Sequence, residues 1–125
     1  MPAHKKILVA ESDPAMLRIL ADTLAAAGYT VTPALGARQL LAALDTQDFA
    51  LVILPSFYRE PQTAAEITAD IRLRHPETQI IICSGFPRYY LPQKLGQGIS
   101  YDGFLSKPFR LGELLKILRK ALPKI

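Results

Sequence analysis

Three apolar runs in this sequence end in polar groups suited to phosphoryl chemistry, and a fourth ends in proline. Glu11, Ser12 and Asp13 follow Lys6–Ala10, Ser84 and Gly85 follow Gln79–Cys83, and Ser106-Lys107-Pro108 follows Tyr101–Leu105. Acids can hold a metal ion, a hydroxyl and a lysine can hold phosphoryl oxygens, and an acidic nucleophile between them would accept the group. The remaining run, Phe49-Ala50-Leu51-Val52-Ile53-Leu54, is closed by Pro55 and Ser56. Proline offers no nucleophile, acid, metal ligand or backbone N–H.

Groups so far apart in sequence meet only if the chain carries these ends to one edge. The sequence alternates short β-rich runs with amphipathic helical patterns, the mark of an α/β domain with a parallel sheet. Strand one is Lys6–Ala10. Asp13-Pro14 reads as an N-cap and first helical residue, with Met16, Leu17, Leu20, Ala21 and Leu24 on one helix face and Gly28 as its end. Strand two is Tyr29–Thr32, stopped by Pro33, and a second helix over Gly36–Leu44 turns Leu40, Leu41 and Leu44 inward.

After strand three, which ends at Leu54, a loop with Pro55 and Pro61 leads to a third helix near Ala64–Arg74, closed by His75-Pro76. Strands four and five are Gln79–Cys83 and Tyr101–Leu105. A short helix is placed around Pro92–Leu95 between them, and a strong amphipathic helix over Leu111–Leu122 follows. Central strands this apolar need cover on both faces. The expected fold is flavodoxin-like and doubly wound, (βα)5, with five parallel strands between helices and the active edge at the strand carboxyl ends.

At 125 residues, with half of them hydrophobic, the chain fits one domain, residues 1–125, with a real core. No apolar stretch approaches the roughly 20 residues that cross a bilayer. After Met1–Lys6 only Ile7–Ala10 is apolar, too short for a signal peptide. One cysteine, Cys83, excludes an internal disulfide and suits a reducing compartment, so a cytoplasmic location is expected. From Lys107 onward, Lys107, Arg110, Lys116, Arg119, Lys120 and Lys124 face Glu113 alone. No aromatic stacking set or base-reading motif accompanies this charge, so a solvated helix face is expected and nucleic acid is not. No membrane association is expected either.

The stretches Ile7-Leu8-Val9-Ala10-Glu11-Ser12-Asp13-Pro14, Ile80-Ile81-Ile82-Cys83-Ser84-Gly85-Phe86 and Gly103-Phe104-Leu105-Ser106-Lys107-Pro108-Phe109 occur in this order. With five β/α units around them, the chain resembles the receiver domain of two-component response regulators over nearly its whole length. The resemblance implies an aspartate at the end of strand three that accepts a phosphoryl group from a histidine kinase. It also implies two acids after strand one that bind Mg²⁺, and a Ser or Thr and a lysine that bind phosphoryl oxygens. An aromatic residue three before the lysine changes rotamer on activation in that family. Ser84, Lys107 and Phe104 match the last three positions, and Glu11 matches the first acid.

Ser12 replaces the second acid and Pro55 replaces the aspartate. Arg59 and Thr63 depart from the family's usual proline and glycine, and one residue is inserted before the third helix. Mg²⁺ wants an octahedral shell of hard oxygens with carboxylates to offset its charge, so its site is expected to be lost or very weak, and no cofactor is expected. Ser56 has no histidine nearby in sequence to activate it, and alternation turns it away from its neighbour's side.

Several positions allow two readings. Asp13 is a residual metal ligand or, better explained by Asp-Pro, an N-cap. Glu11 and Lys107 form a salt bridge across the pocket or remain solvated. Ser84 serves the pocket or a turn, and Phe104 is a switch aromatic or packing. Cys83 reads as a small core residue, and neither His4 nor His75 reads as catalytic. The run Arg88-Tyr89-Tyr90-Leu91 borders the usual docking face of such domains, where Tyr89, Tyr90, Arg110 and Lys116 could meet a partner.

The reading that results is a non-enzymatic, phosphorylation-independent receiver-like docking module of a two-component phosphorelay. Its partner would be a histidine kinase or another signalling domain, and a homodimer is compatible with it. It is either stand-alone or the C-terminal domain of a hybrid sensor histidine kinase. The alternative is a phosphorelay receiver with a non-standard acceptor. A flavin-type site lacks a Gly-rich loop after strand one, where acids would repel a phosphate, and a nucleic-acid role rests on charge alone.

Overall fold

Asp13 starts the first helix as its sequence suggests. Its Oδ1 accepts from the Ala15 N–H at 3.0 Å, and Pro14 takes the first helical position where no N–H is needed. In the computed structural model, which describes residues 6–55, 63–85 and 100–122, the elements are β1 (Lys6–Glu11), α1 (Pro14–Ala26), β2 (Thr30–Leu35), α2 (Gly36–Thr46), β3 (Leu51–Leu54), α3 (Ala64–Arg74), β4 (Gln79–Ser84), β5 (Gly103–Ser106) and α4 (Leu111–Ala121). The helix expected around Pro92–Leu95 lies outside the described residues, as do His4, Ser56, Arg59 and the run from Arg88 to Leu91.

The five strands form one parallel sheet in the order β2-β1-β3-β4-β5, the flavodoxin-like arrangement. Side-chain alternation splits its core in two. Leu8, Ala10, Val52, Leu54, Ile80 and Ile82 pack with Leu40 and Leu44 of α2 and Ile67 and Ile71 of α3. Ile7, Val9, Leu51, Ile53, Ile81, Cys83 and Leu105 pack with Leu20 and Leu24 of α1 and Leu114 and Leu118 of α4. Strands apolar on both sides thus hold helices on both faces, each fully buried leucine contributing about 2 kcal/mol.

Helix ends follow local chemistry. Thr63 Oγ1 accepts from the Glu66 N–H at 3.2 Å while Glu66 Oε1 accepts from the Thr63 N–H at 3.1 Å, a reciprocal cap on α3. Beyond α1, Gly28 has φ +102°, and its N–H and that of Tyr29 donate back to Ala25 and Leu24 carbonyls. Tyr29 therefore belongs to the helix ending, which corrects its placement in strand two.

A larger correction is that β2 runs through Pro33, which pairs with Val9, and continues to Leu35. Proline stops a central strand, but β2 is the sheet edge, where one missing N–H can face solvent. Strand five also begins later than expected, at Gly103, because the Asp102 N–H donates to the Ile80 carbonyl ahead of the ladder and Tyr101 turns its ring toward Phe104. Among the described residues, no helix is long and apolar enough to cross a membrane.

Candidate functional site

β3 ends at Leu54, and Pro55 is buried just beyond it. A proline at this place terminates the ladder instead of breaking it, so its missing N–H costs the sheet little. β1 runs alongside, with Val9 opposite Ile53, so the same register two residues on brings Glu11 level with Pro55. Glu11 is only 4% exposed. Its Oε2 accepts from Lys107 Nζ at 2.8 Å and its Oε1 from the Ser12 N–H at 3.1 Å. Of the two readings of Glu11 and Lys107, the salt bridge is the one the fold adopts.

Lys107 follows β5. Its backbone N–H donates to the Ser84 carbonyl at 2.8 Å, which continues the β4–β5 pairing past Ser106. The Lys107–Pro108 peptide is cis. Ser84 is buried at the end of β4, so it sits in the sheet and not in a turn. Ser12 and Asp13 are exposed, and Asp13 serves as the α1 cap. The strand ends thus bring together Glu11, Pro55, Ser84 and Lys107, with Ser12 and Asp13 at the rim.

These donors do not fit Mg²⁺. The one buried carboxylate already holds an ammonium, an Asp13 oxygen caps a helix, and Pro55 has no side-chain oxygen, whereas Mg²⁺ needs near-octahedral oxygen ligation with carboxylate charge. Among the described residues, no group of three or more His, Cys, Asp or Glu could hold a metal.

Cys83 is buried beside this pocket, and burial pushes its thiol up to about 11; Lys107 pulls it back slightly and Glu11 raises it further. A thiol held protonated in this way is a core residue and not a nucleophile. Phe104 is half-buried, its ring centroid 5.9 Å from that of Tyr101 at a 54° tilt. The sequence reading missed Tyr101 as its partner, although the i, i+3 spacing of the two rings was visible. It also missed the Ser12 N–H as second donor to Glu11, which no side-chain pattern records.

A cleft of about 470 Å³ lies at the opposite, amino-terminal edge of the sheet, lined among others by Asp48, Phe49, His75 and Thr78. His75 is engaged there, with Nε2 2.9 Å from the Leu44 carbonyl and Nδ1 3.2 Å from Asp48. It ties the end of α3 to that of α2 and stands far from the strand carboxyl ends. Arg110, the N-cap of α4, and Lys116 on the helix are exposed, while Tyr89 and Tyr90 lie outside the described residues.

Comparison with known proteins agrees with this architecture. The chain is 30% identical over 115 residues to the transcriptional regulatory protein TcrA of Mycobacterium tuberculosis, covering 91% of this chain and 44% of that protein. It is 29% identical over 116 residues to the DNA-binding transcriptional regulator NtrC of Rhizobium meliloti, covering 93% of this chain and 24% of that protein. The chain therefore spans less than half the length of these relatives. Among solved structures, the chemotaxis protein CheY4 of Vibrio cholerae superposes with a TM-score of 0.82 at 26% identity, covering 94% of this chain and 98% of that one. The signal receiver domain of an HD domain-containing protein from Pseudomonas fluorescens Pf-5 gives 0.82 at 31% identity, covering 94% and 93%. The model of the response regulator receiver domain matches residues 7–119, and the chain belongs to that family.

Proposed function

We propose that this receiver domain is a degenerate one that works as a docking module without phosphoryl transfer. Receiver domains interact with histidine kinases and other signalling proteins in two-component systems. What supports the degenerate reading is the buried Pro55 at the end of β3, level with a Glu11 already paired to Lys107. Transfer to an aspartate needs a carboxylate nucleophile and charge stabilisation of the migrating group. Here the nucleophile position holds a tertiary amide nitrogen and a hydrocarbon ring. The lysine that would meet phosphoryl oxygens is bound to a carboxylate.

Signalling then depends on a surface that is always available or is gated by a partner. That surface comprises the start and exposed face of α4, with Arg110 and Lys116, together with Tyr89 and Tyr90. A place at the C-terminus of a hybrid sensor histidine kinase suits such a module. Incubation with acetyl phosphate followed by intact mass tests the reading. The wild-type chain should gain no phosphoryl adduct, whereas a Ser12→Asp, Pro55→Asp variant regains the two missing carboxylates and is the one expected to accept phosphate. An aspartyl-phosphate on the wild-type chain would overturn the proposal.

A further inference from the structure

A carboxylate as buried as Glu11 requires a counter-charge close by. Lys107 supplies it from an unexpected distance. β1 and β5 are separated by β3 and β4, three strand spacings or about 14 Å. The two side chains must therefore extend toward each other across the ends of the two middle strands to meet at 2.8 Å. Their path passes the level of Pro55. β3 lies between β1 and β5, so a carboxylate at its end would compete with Glu11 for the lysine, and Pro55 carries none.

We infer that Lys107 is the built-in counter-ion of Glu11, taking the place a divalent cation would hold, and that the pair clamps the end of β1 to the turn between β5 and α4. This rests on the reading of the pocket as one that works without phosphoryl transfer. The two charges cancel, so a free cation gains nothing here unless it first displaces an ammonium from a buried oxygen. The clamp bears directly on α4: Lys107 is held by Ser84 through its backbone, and three residues on, the Arg110 N–H is accepted by Glu113 Oε1 at 3.1 Å to begin the helix. The pair therefore links β1 to the segment that leads through Arg110, the N-cap, into the helix that carries Lys116.

Thermal unfolding of four chains, each with and without millimolar MgCl2, tests the inference. Wild type should show no Mg²⁺ dependence. Lys107→Met, which leaves the buried carboxylate without its cation, should melt roughly 5–10 °C lower. MgCl2 should restore part of that loss, by an amount that grows with the logarithm of one plus the ratio of Mg²⁺ concentration to Kd, as linkage requires. Adding Glu11→Gln to Lys107→Met should recover most of the loss, because no buried charge is left unpaired, and should abolish the Mg²⁺ response. Glu11→Gln alone should also ignore Mg²⁺.

A Lys107→Met chain as stable as wild type overturns the clamp. A destabilised Lys107→Met chain that ignores Mg²⁺ overturns the claim that Lys107 takes the cation's place, as does a wild type that Mg²⁺ stabilises. If Lys107→Met alone fails to fold, rescue by the added Glu11→Gln supports the clamp and failure of the double variant to fold overturns it. These outcomes separate from those of the acetyl phosphate experiment. A phosphoryl adduct on wild type would sink the functional reading while the melting temperatures still judge the clamp.

Discussion

Gly103 of β5 lies so close beneath Ile117 of α4 that a Cβ added to it would meet Ile117 Cδ1 at 2.9 Å, Ile117 Cγ1 at 3.2 Å and Ile81 Cγ1 at 3.4 Å. The absence of a side chain at 103 is what lets α4 settle onto the sheet with Leu114 and Leu118 fully buried. Gly103→Ala should therefore destabilise the domain by about 1 kcal/mol, at the low end for overpacking because the Ile117 tip can rotate, and Gly103→Val by more. Urea denaturation checks the order: wild type, then alanine, then valine. An alanine variant more stable than wild type would show that the contact relaxes freely.

Arg72 of α3 holds the approach to β5. Its Nε donates to Ser100 Oγ at 3.0 Å and its Nη2 to Asp102 Oδ2 at 2.9 Å, and the same Asp102 oxygen accepts the Ile80 N–H at 2.8 Å. Both partners of the ion pair are about a third exposed, so screening limits its worth. Arg72→Ala should cost roughly 1–2 kcal/mol, mostly through the lost hydrogen bonds. Arg72→Lys should recover little, since an ammonium cannot form the planar fork. Equal urea midpoints for wild type and Arg72→Ala would refute the role.

What could be read in advance depended on whether its cause was local. α3 has the ends the sequence suggests, Ala64 and Arg74, because the His75-Pro76 stop is written in adjacent residues. The five parallel strands were legible because runs such as Leu51–Leu54 are apolar on both faces. Pro33 was misleading. Whether a proline ends a strand or sits within it depends on whether the strand is at an edge, and strand order is a property of the whole sheet. The Glu11–Lys107 pair was visible only as two open readings. Ninety-six positions separate the residues, and nothing nearby in sequence says whether a lysine extends across two strands or into water.

The basic face of α4, with Arg110 at its start and Lys116 on it, is exposed and belongs to the proposed docking surface. With Arg110→Glu and Lys116→Glu together, association with an acidic partner should slow about tenfold or more at low salt, with the difference shrinking as salt rises. Tyr89→Ala or Tyr90→Ala should act on dissociation instead, costing about 2 kcal/mol or more at whichever ring is buried in the complex. The partner for these measurements is the kinase returned by a pull-down with kinases encoded beside this chain. Wild-type association rates for the charge-reversed variant would exclude α4 from the interface.

Cys83 gives the fold an alkaline limit. Its thiol is 1% exposed, and burial moves its pKa from 9.0 to about 11. The folded chain therefore keeps the proton at pH values where the unfolded chain releases it. The associated stability is fully present below pH 9 and declines from there to about pH 11, where the folded thiol also ionises. At 1.36 kcal/mol per pKa unit the total is on the order of 3 kcal/mol. Cys83→Ala lacks this component, and titrations common to both chains cancel in the difference. Urea denaturation of the two chains from pH 8 to about pH 11 should thus show the wild-type advantage over Cys83→Ala narrowing as pH rises. Parallel curves would mean that the thiol is not held in the dry, apolar site that the fold gives it.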